Sequence, residues 1–164
     1  LMLHGIIYAQ KNQRLNDDPG HDLPDEVHSF FATGTDEQEL YITPSLLKDA
    51  DWDLIATTAL WARANADILK DSHWVGGDPG RLEPYGWAAW TPAKAFLTLR
   101  NPDQVSRTIL IEPRQALELP DDAPTHYVVH PLWAKSATPA ALDADQPLMI
   151  RLAPFEVMTL ELTP

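Results

Sequence analysis

The spacing of apolar residues changes near residue 80, from a helical period to an alternating one. Thr43, Pro44 and Ser45 supply a helix start, because proline early in a helix lacks only an N–H that would have no partner there. We therefore predict a helix over residues 45–70. One apolar face of this helix consists of Ile55, Ala59, Ala62, Ala66 and Leu69. A second face consists of Leu54, Trp61 and Ile68.

Apolar residues on two sides indicate that the helix packs against a partner on each side. Such a helix would lie between two layers of structure, and Trp61 would be a core residue. From residue 85 onwards, short alternating segments separated by turn residues indicate strands. Seven segments fit this pattern: 85–91, 93–100, 106–112, 114–119, 125–130, 147–152 and 155–162. Regularly spaced strands of this kind predict an antiparallel sandwich or barrel.

The N-terminal quarter is less regular. Residues 1–9 form an apolar run that suits a buried strand or a helix turn, and residues 10–25 have the composition of a loop. Residues 26–42 suit one or two short strands around a turn at Gly34, where the backbone bends or closely approaches a ligand. Residues 73–81 are rich in glycine and proline, but they lack the features of a phosphate loop and are interpreted as a connector.

Composition narrows the classes of partner. The formal net charge is −12, from 24 acidic and 12 basic residues, which argues against binding to a nucleic-acid backbone. There is no cysteine, so disulfides and thiolate chemistry are excluded and the redox compartment is left unassigned. The apolar runs are only a few residues long, so no membrane contact is predicted. The chain begins Leu-Met-Leu-His-Gly, and we expect it to be a piece of a longer polypeptide.

Four segments carry a resemblance to a known group of enzymes: residues 26–47, 51–69, 73–102 and 153–162. They include the strings EVHSFFATGTDEQELYITPSLL, DWDLIATTALWARANADIL and APFEVMTLEL. Together they resemble the C-terminal end of bacterial glycoside hydrolases similar to the α-galactosidase and α-N-acetylgalactosaminidase group. Enzymes of that group have a (β/α)8 catalytic barrel followed by an antiparallel β-sandwich.

The resemblance implies an α+β fragment. Residues 1–75 would be a helical, partial-barrel segment, in which residues 26–42 carry the last barrel strand and residues 45–70 the last helix. Residues 82–164 would be the C-terminal sandwich. The group uses a retaining mechanism with two carboxylates about 5 Å apart, and its nucleophile lies in a Lys-x-Asp setting. No Lys-x-Asp precedes the predicted final helix, so no catalytic residue is assigned and the isolated chain is expected to be inactive.

Glu26, His28 and Glu39 are the candidate substrate-binding residues. Glu26 and His28 are two positions apart, so on a strand they would point the same way and could bind sugar hydroxyls. A solvated strand edge explains the same pair. Glu39 alternates with Leu40 and could point inward. His21, Glu26 and His28 have the ligand types of a metal site, but their spacing does not require one, and no metal or cofactor is assigned.

Aromatic residues are concentrated where the predicted sheet begins, at Trp74, Tyr85, Trp87 and Trp90. Sugar rings stack on such rings, but packing in a core explains them equally. Trp87 and Trp90 are three apart and would face opposite sides of a strand, with one in the core.

The leading hypothesis is the C-terminal portion of a glycoside hydrolase, whose sandwich supports the barrel and has no complete active site of its own. Its partners would be a carbohydrate, through the complete enzyme, and the rest of the barrel or a second copy of the chain. One alternative is a non-catalytic carbohydrate-binding β module. Another is a self-contained structural or oligomerisation domain.

Overall fold

The structure, a computed structural model, describes residues 2–7, 23–34 and 37–164. Its helices are α1 (Leu23–Ala32), α2 (Asp49–Ala64), α3 (Ala66–Leu69) and α4 (Pro113–Ala116). The first five strands are β1 (Met2–Ile7), β2 (Glu37–Ile42), β3 (His73–Gly76), β4 (Tyr85–Trp90) and β5 (Ala95–Arg100). The others are β6 (Arg107–Ile111), β7 (His126–Trp133), β8 (Ala141–Asp143), β9 (Leu148–Leu152) and β10 (Val157–Thr163).

The strands of the described residues form three sheets with different geometries. β1 and β2 pair in parallel, and α1 makes the connection between them. A parallel pair needs such a crossover because a tight hairpin can only join antiparallel strands. Six strands form an antiparallel sheet in the order β3-β4-β5-β10-β7-β8, while β6 and β9 form a separate antiparallel ribbon. The chain is therefore an α+β protein built around a six-stranded antiparallel sheet.

One face of the large sheet shares an apolar core with the β6–β9 ribbon. Alternate residues of each strand point into this core, as the pleat of a strand requires. The sheet contributes Leu97, Leu99, Tyr127, Met158, Leu160 and Leu162, and the ribbon contributes Ile109, Ile111, Ile150 and Leu152. This arrangement agrees with the antiparallel layers that the alternating pattern predicts.

The opposite face of the large sheet carries the helices. A second apolar core joins Phe96 of β5 and Ala89 of β4 to buried residues of α1, α2 and α3. Because helices cover one face and the ribbon the other, β5 is buried along its length up to Arg100, which is only partly exposed.

The two apolar faces of α2 meet different neighbours, as the sequence predicts. Trp61 packs edge-on against Phe96 and Trp133 of the large sheet, with ring centroids 5.2 and 4.7 Å away. Ile55 and Ala62 pack with buried residues of α1, in the same apolar core that includes Phe96. Within the described residues, no helix combines the length and the apolar composition needed to cross a membrane.

The prediction of one helix over residues 45–70 starts the helix too early and misses a break that the structure contains. Residues Pro44–Leu46 form a short 3-10 turn, and α2 begins only at Asp49, where the Asp51 carboxylate accepts the N–H of Lys48 at 2.9 Å. Asn65 then interrupts the helix, and its side-chain amide donates to the Trp61 carbonyl oxygen at 2.9 Å. After this break Ala66 is exposed, but it still lines the same groove as Ile55 and Ala62.

The prediction of strands over residues 26–42 is wrong for its first part, because residues Leu23–Ala32 form α1. Glu26 and His28 therefore do not lie side by side on a strand. Among the described residues of this range, only Glu37–Ile42 form a strand. Gly34 lies in the turn between them with a φ of +71°, and a Cβ there would be 2.1 Å from the Leu69 carbonyl oxygen. The predicted bend at Gly34 is thus a close approach of two backbones.

Other differences concern short elements. Residues 114–119 were expected as a strand, but Pro113–Ala116 form a helical turn, and Glu118 has a φ of +49° that a strand cannot contain. The predicted connector at 73–81 contains β3, which adds an edge strand beside β4. Of the predicted loop at 10–25, residues 10–22 lie outside the described residues and the rest begin α1.

Candidate functional site

Glu26 lies in the first turn of α1 and forms an ion pair with Arg100 of β5. The Arg100 guanidinium donates to both Glu26 carboxylate oxygens, one of them at 3.2 Å, and to the Ser29 hydroxyl at 3.4 Å. Burial lowers the pKa of Arg100, but the hydrogen bond and the charge of Glu26 outweigh it and raise that pKa overall. The pair therefore stays charged and holds α1 against the sheet.

His28 lies on the part of α1 that faces β7. Its imidazole stacks on the Trp133 indole with a centroid distance of 4.1 Å and an interplanar angle of 6°. A cavity of about 360 Å³ opens beside this stack, lined by His28, Leu54, Thr57, Thr58, Trp61, Leu132 and Trp133. Burial, followed by the charge of Lys135, lowers the pKa of His28 to about 4. The ring is consequently neutral at neutral pH.

Glu39 lies on β2, away from the α1 contacts of the other two candidates. Its exposed carboxylate accepts a hydrogen bond from the Tyr41 hydroxyl, which raises the pKa of Tyr41. The three candidates thus have three different partners, namely Arg100, Trp133 and Tyr41. The structure does not join Glu26, His28 and Glu39 into one pocket, and their role in binding substrate stays a prediction.

A second polar cluster, which the sequence did not reveal, joins α1 to the segment after β7. The Lys135 ammonium donates to the Asp25 carboxylate, which is 5% exposed. Burial raises the pKa of Asp25, partly offset by Lys135. Next to it, Glu156 is completely buried and accepts the N–H groups of Lys135, Ser136 and Ala153, each at 2.6 Å. A charged residue just before an apolar strand was the only sequence signal.

Three aromatic rings form a surface on the helix-bearing face of the sheet, at its β3–β4 edge. Strand register places Trp74 opposite Trp87, and Tyr85 lies two residues from Trp87 on the same face. The Trp74 and Tyr85 rings are parallel, with centroids 4.8 Å apart, and Trp87 meets both edge-on. Trp74 is 48% exposed. We call Trp74, Tyr85 and Trp87 the aromatic surface.

Trp90 lies on the other face of β4, as the spacing from Trp87 predicts. Its indole N–H donates to the Tyr127 hydroxyl at 3.0 Å, and the ring packs on the core shared with the ribbon. Trp90 is thus a structural residue, whereas Trp87 belongs to the aromatic surface.

A groove runs between α1, β2 and α2, and its volume is about 670 Å³. Its apolar lining comes from Phe30, Phe31, Leu40, Ile55, Ala59, Ala62, Ala66 and Leu69. We call it the α1–α2 groove. Trp61 is not among the residues that line this groove.

Metal binding finds no support in the part of the chain that the structure describes. No group of three or more His, Asp or Glu side chains there could hold an ion. The metal hypothesis also involved His21, which lies outside the described residues. The described surfaces offer aromatic rings, ion pairs and apolar grooves, which are features of binding and docking.

Solved structures that share this fold include three glycoside hydrolases. A Bacillus halodurans protein described as an α-N-acetylgalactosaminidase matches 87% of this chain and 32% of its own, with 14% identity and a TM-score of 0.57. A GH27 β-L-arabinopyranosidase from Geobacillus stearothermophilus matches 87% of this chain and 30% of its own, with 10% identity and a TM-score of 0.55. An α-amylase from Anoxybacillus matches 99% of this chain and 37% of its own, with 13% identity and a TM-score of 0.57.

The chain therefore spans about a third of the length of these enzymes. At such low identity the similarity establishes a shared fold, and functional residues do not transfer with it. No protein-family model and no curated protein matches the chain.

Proposed function

We propose that the chain is the C-terminal portion of a glycoside hydrolase. In this proposal residues 1–75 supply the last elements of a (β/α)8 barrel. Residues 82–164 form a β-sandwich that supports the barrel and has no complete active site of its own. The enzyme would act on a carbohydrate of the kind hydrolysed by the α-galactosidase and α-N-acetylgalactosaminidase group.

The observation that supports this most is the order of elements at the N-terminal end. Two parallel strands, β1 and β2, are joined by α1 and followed by α2. Alternating strands and helices around a parallel pair are the repeating unit of a (β/α)8 barrel. In this proposal β1 and β2 are its last two strands, one more than the sequence suggested.

The position of α2 also supports the proposal. In the proposed enzyme this helix would lie between barrel and sandwich, so it would need one apolar face toward the barrel and another toward the sandwich. Trp61 packs on the large sheet, while Ile55, Ala59 and Ala62 line the α1–α2 groove. The groove would then receive the barrel segments that precede this chain.

The contacts of α1 with the sheet support a fixed attachment between the two parts. Glu26 with Arg100, Asp25 with Lys135, and His28 with Trp133 all join the first turns of α1 to sheet strands or the segment after them. Charge-assisted pairs and a stacked ring restrict the angle between packed elements more than apolar contact does. Such an attachment suits a sandwich that holds the barrel in place.

The proposal is tested by expressing the polypeptide as its genome encodes it, with all residues that precede Leu1, beside the isolated chain. Both are assayed against a panel of chromogenic α- and β-glycosides. We expect turnover by the longer protein and none by the isolated chain, because a barrel assembles its site from several strands. The proposal is overturned if no barrel-encoding segment precedes Leu1, or if the isolated chain shows turnover that Glu26→Gln or Glu39→Gln abolishes.

A further inference from the structure

We infer that the aromatic surface and the neighbouring Arg100–Glu26 pair form a binding site for a neutral sugar of the pyranose type. The inference deepens the proposed function by naming a sugar-contact surface on the large sheet. It rests on that function only for the choice of a sugar over other neutral ligands.

The geometry of the three rings suits a sugar ring. Trp74 and Tyr85 are stacked with an interplanar angle of 6°, and Trp87 supports both from the edge. A pyranose presents a face of C–H groups, which packs well on the electron-rich face of an aromatic ring. Because the three rings hold each other in place, little side-chain entropy is lost when a ligand binds.

The aromatic surface is accessible to solvent at Trp74. The helices cover Phe96 and Ala89 on the same face of the sheet, but Trp74 remains 48% exposed. Large aromatic side chains dominate binding energy at protein surfaces when they are left accessible. The indole of Trp74 is therefore available to a ligand.

A charged pair lies beside the rings and offers hydrogen-bonding groups to a sugar. Arg100 lies directly opposite Tyr85 across β4 and β5, so the two side chains share a face of the sheet. Its guanidinium is paired with Glu26, whose side chain is 46% exposed. A sugar stacked on the rings could donate hydroxyl hydrogens to the Glu26 carboxylate and accept from Arg100. The rings therefore suit the C–H face of a pyranose, and the adjacent charged pair suits its hydroxyl groups.

Charge argues against the anionic ligands that stack on aromatic rings. Nucleobases in single strands come with phosphates and need a basic groove, whereas this chain has a net charge of −12. A charged anion would also meet the Glu26 carboxylate. A neutral polyhydroxyl ligand avoids both penalties.

Binding is tested with the whole chain by affinity electrophoresis in native gels that contain galactomannan or soluble starch. We expect at least one polysaccharide to retard the protein. Trp74→Ala should weaken the retardation on the order of tenfold, which corresponds to about 1.4 kcal/mol of binding free energy. Trp52→Ala is the matched control, since Trp52 is a 40% exposed tryptophan on α2, and it should bind as the wild type does.

Two further variants separate binding from folding. Trp74→Tyr keeps an aromatic face and should retain part of the affinity, while Glu26→Gln should lose part of it. Circular dichroism checks that each variant is folded. The inference is overturned if neither polysaccharide retards the wild type, or if folded Trp74→Ala and Trp74→Tyr bind as tightly as the wild type.

The outcome is independent of the hydrolysis assay. Turnover by the longer protein without polysaccharide retardation would overturn this inference and leave the proposed function standing. Retardation that depends on Trp74, with no turnover by any encoded protein, would support the inference and favour a non-catalytic carbohydrate-binding module.

Discussion

At the residue scale, the structure depends on a few buried charges that connect distant parts of the chain. Glu156 is the clearest of them. It lies just before β10, is fully buried, and accepts three backbone N–H groups as well as the Ser136 hydroxyl. Burial alone would raise the pKa of Glu156, but these donors lower it overall. One carboxylate thereby accepts the backbone N–H groups of residues 135, 136 and 153, which would otherwise need other acceptors.

Glu156→Gln should lower the free energy of unfolding by about 2–4 kcal/mol at neutral pH, since the amide turns an N–H₂ group toward buried donors. Urea denaturation of wild type and variant measures the difference. Glu112→Gln, at an exposed position next to β6, is the control and should change stability by less than about 0.5 kcal/mol. An unchanged midpoint for Glu156→Gln would contradict this account.

His28 should make stability depend on pH between about 6.5 and about 4. The pKa of His28 in the folded protein is about 4, below the ordinary 6.5. The unfolded chain therefore takes up a proton first as pH falls, and stability decreases through this window and levels off below it. The pKa of Glu156 is lowered below its ordinary value of 4.5. Glu156 therefore loses its stabilising contribution only as the pH falls below about 4.5, which is largely outside the His28 window.

The variant His28→Phe keeps a ring against Trp133 but cannot be protonated. The loss of unfolding free energy between pH 7 and pH 4.5 should therefore be smaller in the variant by about 2 kcal/mol. Chemical denaturation at the two pH values gives the comparison. If both proteins lose the same stability, His28 is not the residue responsible.

At the scale of elements, α2 is the component that connects two layers. One side reaches the sheet through Trp61, and another side shares the α1 core through Ile55 and Ala62. Leu60 points in neither direction and is 65% exposed. The helix therefore has two sides that tolerate no charge and one that does.

Ile55→Asp and Leu60→Asp should separate these sides. Ile55 is 8% exposed, so a carboxylate there should cost on the order of 3 kcal/mol or more and broaden or abolish thermal unfolding. Leu60→Asp should change stability by less than about 1 kcal/mol and improve solubility. Circular dichroism melts and solubility measurements test the pair, and similar losses in both variants would disprove the assignment of faces.

At the scale of the whole molecule, the α1–α2 groove decides how the chain behaves on its own. Phe30, Phe31, Ile55, Ala62 and Leu69 of its lining are already buried within the chain, and Leu40 and Ala59 are partly exposed. In the proposed enzyme the barrel would cover these partly exposed residues. We therefore expect at most weak self-association of the isolated chain through this groove, at high protein concentration.

Ala59→Lys introduces a charge into the groove, at a partly exposed position of α2. The variant should shift the population toward monomer at the same protein concentration, because burying an unpaired ammonium in an interface is costly. Light scattering after size-exclusion chromatography measures the effect, with Leu60→Asp as the control outside the groove. A wild-type chain that stays monomeric at high concentration would favour a self-contained domain over a fragment.

Local pattern was sufficient for the regular elements. Alternation located β4, β5, β6, β7, β9 and β10 because a half-buried strand repeats its environment every two residues. The same rule put Trp87 and Trp90 on opposite faces. It failed for α1, where Leu23, Val27, Phe30 and Phe31 have helical spacing and join the α2 core. This i, i+4, i+7, i+8 spacing is the helical one. The prediction placed Leu23 in the preceding loop, which removed the first residue of the pattern and left too short a segment to identify the helix.

The sequence by itself determined the antiparallel sheet, the existence of α2 with its two apolar faces, and the presence of aromatic residues near the start of the sheet. Only the tertiary structure decided which side chains meet. Arg100 and Glu26 are 74 residues apart, and Lys135 and Asp25 are 110 apart. Such pairs depend on the angle at which α1 docks on the sheet, and no local period encodes that angle. The contacts of the candidate site residues could therefore not be read from the sequence, because contacts between elements arise from packing rather than from spacing along the chain. The role of these residues in binding substrate stays a prediction.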